Sequence, residues 1–389
     1  MNETLRRGRR VRRLAIAGIL TATMALSAGA VALAGEPEGD GECGYAKVTS
    51  KLKSLVADHG VTGAAIDVRF PGCGKWTKAV GLADRETERP MRTDQRVRIG
   101  SITKTYTATV VMQLVADGEI DLDQTVEHYL PNLVQGNGYD GAKITVRELL
   151  RHESGLPDHT DALPWEDYDS FRYRTFQPEE LVGMALDMPH PDQEWTYSST
   201  NYVLAGMIVE KVTGEDIGDE ITDRIIDELD LPDTYWPGSE SRIRGPHPRG
   251  YWPEEDGGKR DVTRFNTTFG GASGSLISTM DDQQRFFAAL LDGELLDEPQ
   301  LEEMRETVPA DEDRLWEDAR YGLGLIETPV KECGGVMWGH GGTSPGYKVF
   351  NGTTTDGRQV QLALNDNVTT DAGDEALFDT IRAALCVGR

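Results

Sequence analysis

Several signatures of familiar chemistry are missing from this chain. It has no true Gly-x-Ser-x-Gly pentapeptide: the nearest stretch, "GASGS" at 271–275, lacks the final glycine. That argues against the sharp strand-to-helix turn that carries the serine of an α/β-hydrolase. The seven histidines show no pair at zinc-helix spacing, no acidic cluster follows a calcium-loop pattern, and no glycine-rich loop ends in Gly-Lys-Ser/Thr. Metal and nucleotide enzymes are therefore not indicated, and the site is expected to work without a metal or cofactor. Positive charge is also scarce, with 40 Lys and Arg against 66 Asp and Glu. Six of those arginines lie in the first 13 residues, so residues 35–389 carry 34 basic and 65 acidic side chains, about −31 in net charge. Such a surface argues against nucleic acid or anionic lipid as a partner.

The arginine-rich start is followed by an uncharged, alanine-rich run, Leu14 to Ala34, ending in Ala32-Leu33-Ala34. This layout is that of an export signal, 1–34, with cleavage after Ala34. The run is long enough to span a bilayer, so a retained anchor is the alternative and the membrane is a partner only in that case. An acidic linker, 35–43, then leads into the remaining chain. Four cysteines remain, at 43, 73, 333 and 386, with no Cys-x-x-Cys among them. An even count in an exported, extracellular chain suggests two disulfides. Three pairings are open; Cys43 with Cys73 and Cys333 with Cys386 would each staple one end of the chain to a nearby strand.

Strand-like stretches lie at 61–70 and 75–82 around a Pro-Gly-Cys-Gly turn, and at 346–350 and 359–365 around Thr355-Asp356-Gly357. Helical patterns cover 101–117, 146–152, 178–186, 202–213, 218–229 and 372–385. The two chain ends are thus expected to build one sheet, with a mainly helical lobe at about 121–265 between them.

In the first of those helices, "RIGSITKTYTATVV", Ser101 and Lys104 are three residues apart and so share a face. A serine hydroxyl is a poor nucleophile until a base takes its proton, and a lysine serves as base only where burial or positive neighbours lower its proton affinity. An apolar helix start supplies that burial. Alone, Ser-x-x-Lys is a weak signal, because both residues are common. Two other stretches add to it: "EWTYSSTNYVLAGMIVEKVTG", with Tyr197 ahead of a helix, and "WGHGGTSPGYKV", with His340-Gly341-Gly342-Thr343 at the end of a strand.

Together with "ITVRELLRHESGLPDH", "GASGSLISTMDDQQRFFAALLDGELL" and "YGLGL", these stretches stand in the order found in the penicillin-recognising serine hydrolases. The chain resembles in particular their D-Ala-D-Ala carboxypeptidase and class C β-lactamase branch. The resemblance implies an α+β fold of β-lactamase/DD-peptidase type over 44–389, an antiparallel sheet flanked by helices. It implies Ser101 as the acylated serine, with Lys104 and Tyr197 as the proton-transfer pair. Ser199, His340, Gly342 and Thr343 would meet the substrate, the Ser101 and Thr343 amides forming an oxyanion hole. The implied activity is that of an exported D-Ala-D-Ala carboxypeptidase on peptidoglycan stem peptides. The alternatives are a β-lactamase or esterase on the same fold, or a silent peptidoglycan-binding protein.

Two positions depart from that pattern. The Tyr-x-Asn element reads Tyr197-Ser198-Ser199, which exchanges an amide for a shorter hydroxyl and bears on substrate affinity more than on acylation. After "YGLGL", where carboxypeptidases of this type can carry an arginine for the substrate carboxylate, the chain has Ile326 and Glu327. Asn201 is expected to face elsewhere, His152 to shape a loop, and Trp236 and Trp252 to line the cleft.

Overall fold

A computed structural model describes residues 43–388 apart from 194, 255 and 313. The expected export signal and nearly all of the acidic linker lie outside the described residues. The elements that position the site are, in chain order, α1 (Ala46–Ala57), β1 (Gly63–Phe70), β2 (Gly74–Asp84), α2 (Thr103–Ala116), α3 (Val146–Arg151), α4 (Pro178–Leu186), α5 (Ser199–Thr213), α6 (Met280–Leu291), β3 (Ile326–Pro329), β4 (Val336–Gly339), β5 (Gly341–Ser344), β6 (Tyr347–Thr354), β7 (Gln359–Leu364) and α7 (Asp371–Leu385).

The two chain ends do build one sheet. Its central order is β3-β4-β6-β7-β1-β2, every pair antiparallel, and β5 adds to β6. The two-residue period of a strand explains why both faces of its middle are buried. Ala64, Ile66 and Val68 of β1, with Val360, Leu362 and Leu364 of β7, point to one face, where Leu52 and Leu55 of α1 and Leu377 and Ile381 of α7 cover them. Ala65 and Ala363 point to the other face and join the larger core that includes α2, α5 and α6. On that side Gln361 donates to Gln283 of α6 at 2.8 Å, so a polar residue of the alternating pattern finds a partner inside.

The disulfides are Cys43–Cys73 and Cys333–Cys386, with Cα separations of 6.1 and 5.5 Å. The first ties the approach to α1 to the β1–β2 turn, and the second ties the β3–β4 turn to the end of α7. Among the described residues no helix is long and apolar enough to cross a membrane.

Two helical expectations differ in detail. The 101–117 helix begins as a 3₁₀ turn over Gly100–Ile102, with the α-helix proper from Thr103. The 218–229 helix is α only over Ile217–Ile221 and then widens to a π-turn at Thr222–Asp227.

Candidate functional site

Ser101 stands in the tight turn before α2, and the sequence around it explains how that turn is held. Gly100 has φ +50°, a left-handed conformation that disfavours a side chain, and a Cβ there would meet the Thr343 carbonyl oxygen at 2.5 Å. On the facing strand, a Cβ on Gly342 would meet the Ile99 carbonyl oxygen at 1.9 Å. These two glycines let β5 lie directly against the serine turn, which brings the backbone of Thr343 beside that of Ser101. Gly342→Ala is expected to force β5 outward and lower kcat on the order of 10²–10³-fold with an unchanged fold, the size typical of losing one oxyanion donor, the role that the family resemblance implies for the Thr343 amide. Steady-state kinetics beside a circular dichroism melt checks this.

Lys104 is wholly buried, and its Nζ lies 3.1 Å from Ser101 Oγ, 3.3 Å from Ser199 Oγ and 3.2 Å from the Ser273 carbonyl oxygen. Burial drives its proton affinity down to a pKa of about 7; the Asp158 carboxylate opposes that fall and the Arg314 guanidinium adds to it. The stretch 271–275, rejected as a hydrolase elbow, packs behind α2: besides Ser273, the Ala272 carbonyl accepts from Thr107 and the Leu276 amide donates to Thr103.

Tyr197 precedes α5 and shares a hydrogen bond with Ser101; its ring centroid is 4.8 Å from Lys104 Nζ. Burial raises its phenol well above the usual value despite that bond. His152 caps α3 in a left-handed conformation and is buried; its Nδ1 accepts from the Ser198 amide at 3.1 Å, and its ring lies 4.4 Å from that of Tyr197. Burial holds this histidine neutral, so its part is to shape the approach to Tyr197. Asn201 is tied to Ser154 and His152 and turns away from the cavity.

His340 falls at the kink between β4 and β5. Its Nδ1 is 2.5 Å from the Gly341 carbonyl oxygen, so Nδ1 carries the proton, and Nε2 accepts from the Tyr321 hydroxyl at 3.0 Å. Burial, reinforced by Lys104, lowers its pKa to about 3, so the ring brings no positive charge to the site near neutral pH.

Ser101, Tyr197, Ser199, His340, Gly342 and Thr343 all line one cavity of about 660 Å³, and Lys104 is buried behind Ser101. Its other walls include Trp165, Trp252, Phe269, Leu315, Trp316 and Phe350, together with Asp158, Asp161 and Arg314. Trp252 is thus at the cleft as expected, whereas Trp236 lines a separate, smaller cavity. Ile326 is a wall residue; Glu327 accepts from Thr307 at 2.7 Å and does not line this cavity. Ser199 is 7% exposed and its hydroxyl is engaged by Lys104 on one side and by Asp158 Oδ2, at 3.3 Å, on the other. Asp158 and Arg314 are the residues that sequence reasoning passed over. Asp158 is the next-to-last residue of the "HESGLPDH" run, but nothing in that run says that its carboxylate meets Ser199. Arg314 sits far away in sequence in an irregular segment. Among the described residues no group of three or more His, Cys, Asp or Glu is placed to hold a metal ion.

The comparisons with known proteins bear on the family. A family model described as "Beta-lactamase" matches residues 48–382. Penicillin-binding protein 4 of Amycolatopsis lactamdurans is 34% identical over 188 residues, 48% of this chain and 48% of that protein. Penicillin-binding protein 4* of Bacillus subtilis (strain 168) is 25% identical over 77% of this chain and 66% of its own length. The chain thus spans about half to two thirds of these curated relatives. Among solved structures, a D-stereospecific amidohydrolase from Streptomyces sp. is 37% identical with a TM-score of 0.79, covering 88% of this chain and 98% of that one. A D-amino acid amidase from Ochrobactrum anthropi SV3 is 28% identical with a TM-score of 0.74, over 86% and 98% of the two chains. A Ser-x-x-Lys pair with a buried lysine, facing a tyrosine and a glycine-lined strand within a match that runs from α1 into α7, has one reading: the chain belongs to the β-lactamase family of penicillin-recognising serine hydrolases.

Proposed function

We propose that this hydrolase cleaves amides of D-amino acids through an acyl-enzyme on Ser101. The observation that carries the reading is the buried Lys104 amine, with a pKa near 7 and 3.1 Å from the Oγ of Ser101, which lines the cavity. A neutral amine has one lone pair and two N–H bonds. With the N–H bonds directed to Ser199 Oγ and the Ser273 carbonyl, the lone pair faces the Ser101 hydroxyl. Lys104 takes the Ser101 proton as Oγ bonds to the carbonyl carbon, and the Ser101 and Thr343 amides hold the oxyanion. The C–N bond then breaks as the proton passes to the leaving nitrogen by way of the Tyr197 hydroxyl. Water enters next, gives its proton to Lys104, and releases the acid as Ser101 regains a proton. Tyr197 acts as a phenol, because burial makes its phenolate costly.

The D-configured amide is supported by the likeness to a D-stereospecific amidohydrolase and a D-amino acid amidase. The cavity chemistry agrees. Trp165, Trp252 and Phe269 offer aromatic walls, and Asp161 offers a carboxyl to a free α-ammonium. The expected test result is hydrolysis of D-phenylalanine amide with a kcat/KM at least about tenfold above that of the L-enantiomer, a difference of about 1.4 kcal/mol. Equal rates for the two enantiomers would overturn the reading.

A second reading, the D-Ala-D-Ala carboxypeptidase acting on peptidoglycan stem peptides, is favoured by Arg314, a half-exposed cation at the cavity wall that could meet a terminal carboxylate. It would be preferred if an acylated peptide ending in D-Ala-D-Ala were cleaved faster than the amide and a penicillin left a long-lived adduct. Either activity fits an exported protein with the N-terminal run as its signal, a location that the two disulfides favour.

A further inference from the structure

The exchange of an amide for a hydroxyl at Ser199 leaves a place in the site that another residue fills. Asp158 is 4% exposed, and its two oxygens have separate partners. Oδ1 accepts from the Thr160 amide at 3.0 Å and from its hydroxyl at 2.8 Å, closing the short turn His159–Ala162. Oδ2 is free of that turn and accepts from Ser199 Oγ at 3.3 Å, while Ser199 Oγ lies 3.3 Å from Lys104 Nζ. A continuous line therefore runs from the carboxylate through one hydroxyl to the amine that faces Ser101.

We propose that Asp158 is a positioning residue for the reaction: through the Ser199 hydroxyl it orients the Lys104 amine toward Ser101 and supplies the counter-charge when that amine takes up the proton. The proposal rests on Ser101 and Lys104 acting as described above. Electrostatics agree. Burial pushes the Asp158 carboxyl up, but His159, Lys104 and the Thr160 bonds outweigh burial and keep it ionised. Of the other groups that face Lys104, Arg314 is positive and works against the ammonium, and the Tyr197 and Tyr202 rings lie at 4.8 and 5.7 Å. His152 and His340 are held neutral by burial. Asp158 is therefore the anionic group acting on Lys104. Arg314, 3.7 Å from Asp158 Oδ2, draws on the same carboxylate from the cavity side.

The test is a ¹⁵N NMR titration of the Lys104 side chain, identified by its loss in Lys104→Met, in the wild type, Asp158→Asn and Ser199→Ala. Asparagine keeps the Oδ1 acceptor for the Thr160 turn, removes the charge, and puts an amide donor where Oδ2 accepted from Ser199. The Lys104 midpoint is expected to fall by about one pH unit in Asp158→Asn, and to fall by less in Ser199→Ala, which retains the charge but breaks the line. Should Asp158→Asn not fold, Ser199→Ala and Arg314→Gln bracket it, the latter raising the midpoint. Midpoints equal to the wild type in the folded variants would overturn the proposal. The acid limb of kcat/KM should move with the NMR midpoint, and kcat should fall while KM changes little. A midpoint that moves in a protein hydrolysing no amide or ester would instead sink the assigned function and leave the Asp158 coupling standing.

Discussion

Ser101→Ala is expected to lower hydrolysis of any accepted amide or ester on the order of 10⁵-fold or more, with KM little changed and the melting temperature within about 2 °C of the wild type. The size follows from the role. Without Oγ no acyl-enzyme forms, so the residual rate is that of water attacking a bound substrate beside the oxyanion amides. The small stability effect follows from the place. Ser101 is partly open to the cavity, and its removal deprives Lys104 of one hydrogen-bond partner while Ser199 and the Ser273 carbonyl remain. Stopped-flow and steady-state rates on one substrate, set beside thermal melts, check both statements. A variant retaining more than about one percent of the wild-type rate would mean that another nucleophile does the work.

Lys104→Met is the second large effect. Methionine has a similar length and suits a wholly buried position, so the change separates chemistry from packing. Loss of the base is expected to cost about 10²–10⁴-fold in kcat/KM. The pH dependence carries the sharper signature. Burial lowers the lysine pKa to about 7, so the reactive, neutral amine is lost as pH falls through that value, and wild-type kcat/KM should rise with pH through a midpoint near 7. Lys104→Met should lack that limb. Stability should move the other way from activity: between about pH 7 and the ordinary lysine value of 10.5 the unfolded chain holds more protons, so burial of the amine costs the wild type more as pH falls through that window, and Met should be neutral or stabilising at pH 7. A variant that kept the same acid limb would assign that titration to a different group.

What the sequence revealed and what it concealed divide along physical lines. Sheet-forming ends and core helices were legible because alternation and helical spacing are local, and the turn residues between 355 and 357 mark where the last hairpin reverses. The pairing of β1 with β7 is not local, but two strands buried on both faces have few other ways to satisfy their backbone groups than to pair at the centre of one sheet. Ser101, Lys104, Tyr197 and His340 were legible through motifs in a fixed order; Ser101, Tyr197 and His340 line one cavity, and Lys104 lies against Ser101 and Tyr197. The neutral state of His340 was not legible, because it depends on burial and on the Gly341 carbonyl and Tyr321 hydroxyl that clasp the ring. Nor was the partnership of Ser199 with Asp158, which joins residues 41 positions apart across the mouth of α5. Read as a substrate contact, Ser199 looked like a loss; set between a carboxylate and an amine, it is a link. The glycines at 100 and 342 were visible as letters, yet their reason, the close approach of β5 to the serine turn, is a property of the assembled structure.

The most direct test of the account is covalent labelling with a serine-directed fluorophosphonate at pH 8, followed by intact mass and peptide mapping. One phosphonyl group per chain is expected, mapped to Ser101, absent from Ser101→Ala and formed far more slowly in Lys104→Met. Label on any other residue, or labelling as fast without Lys104 as with it, would contradict it.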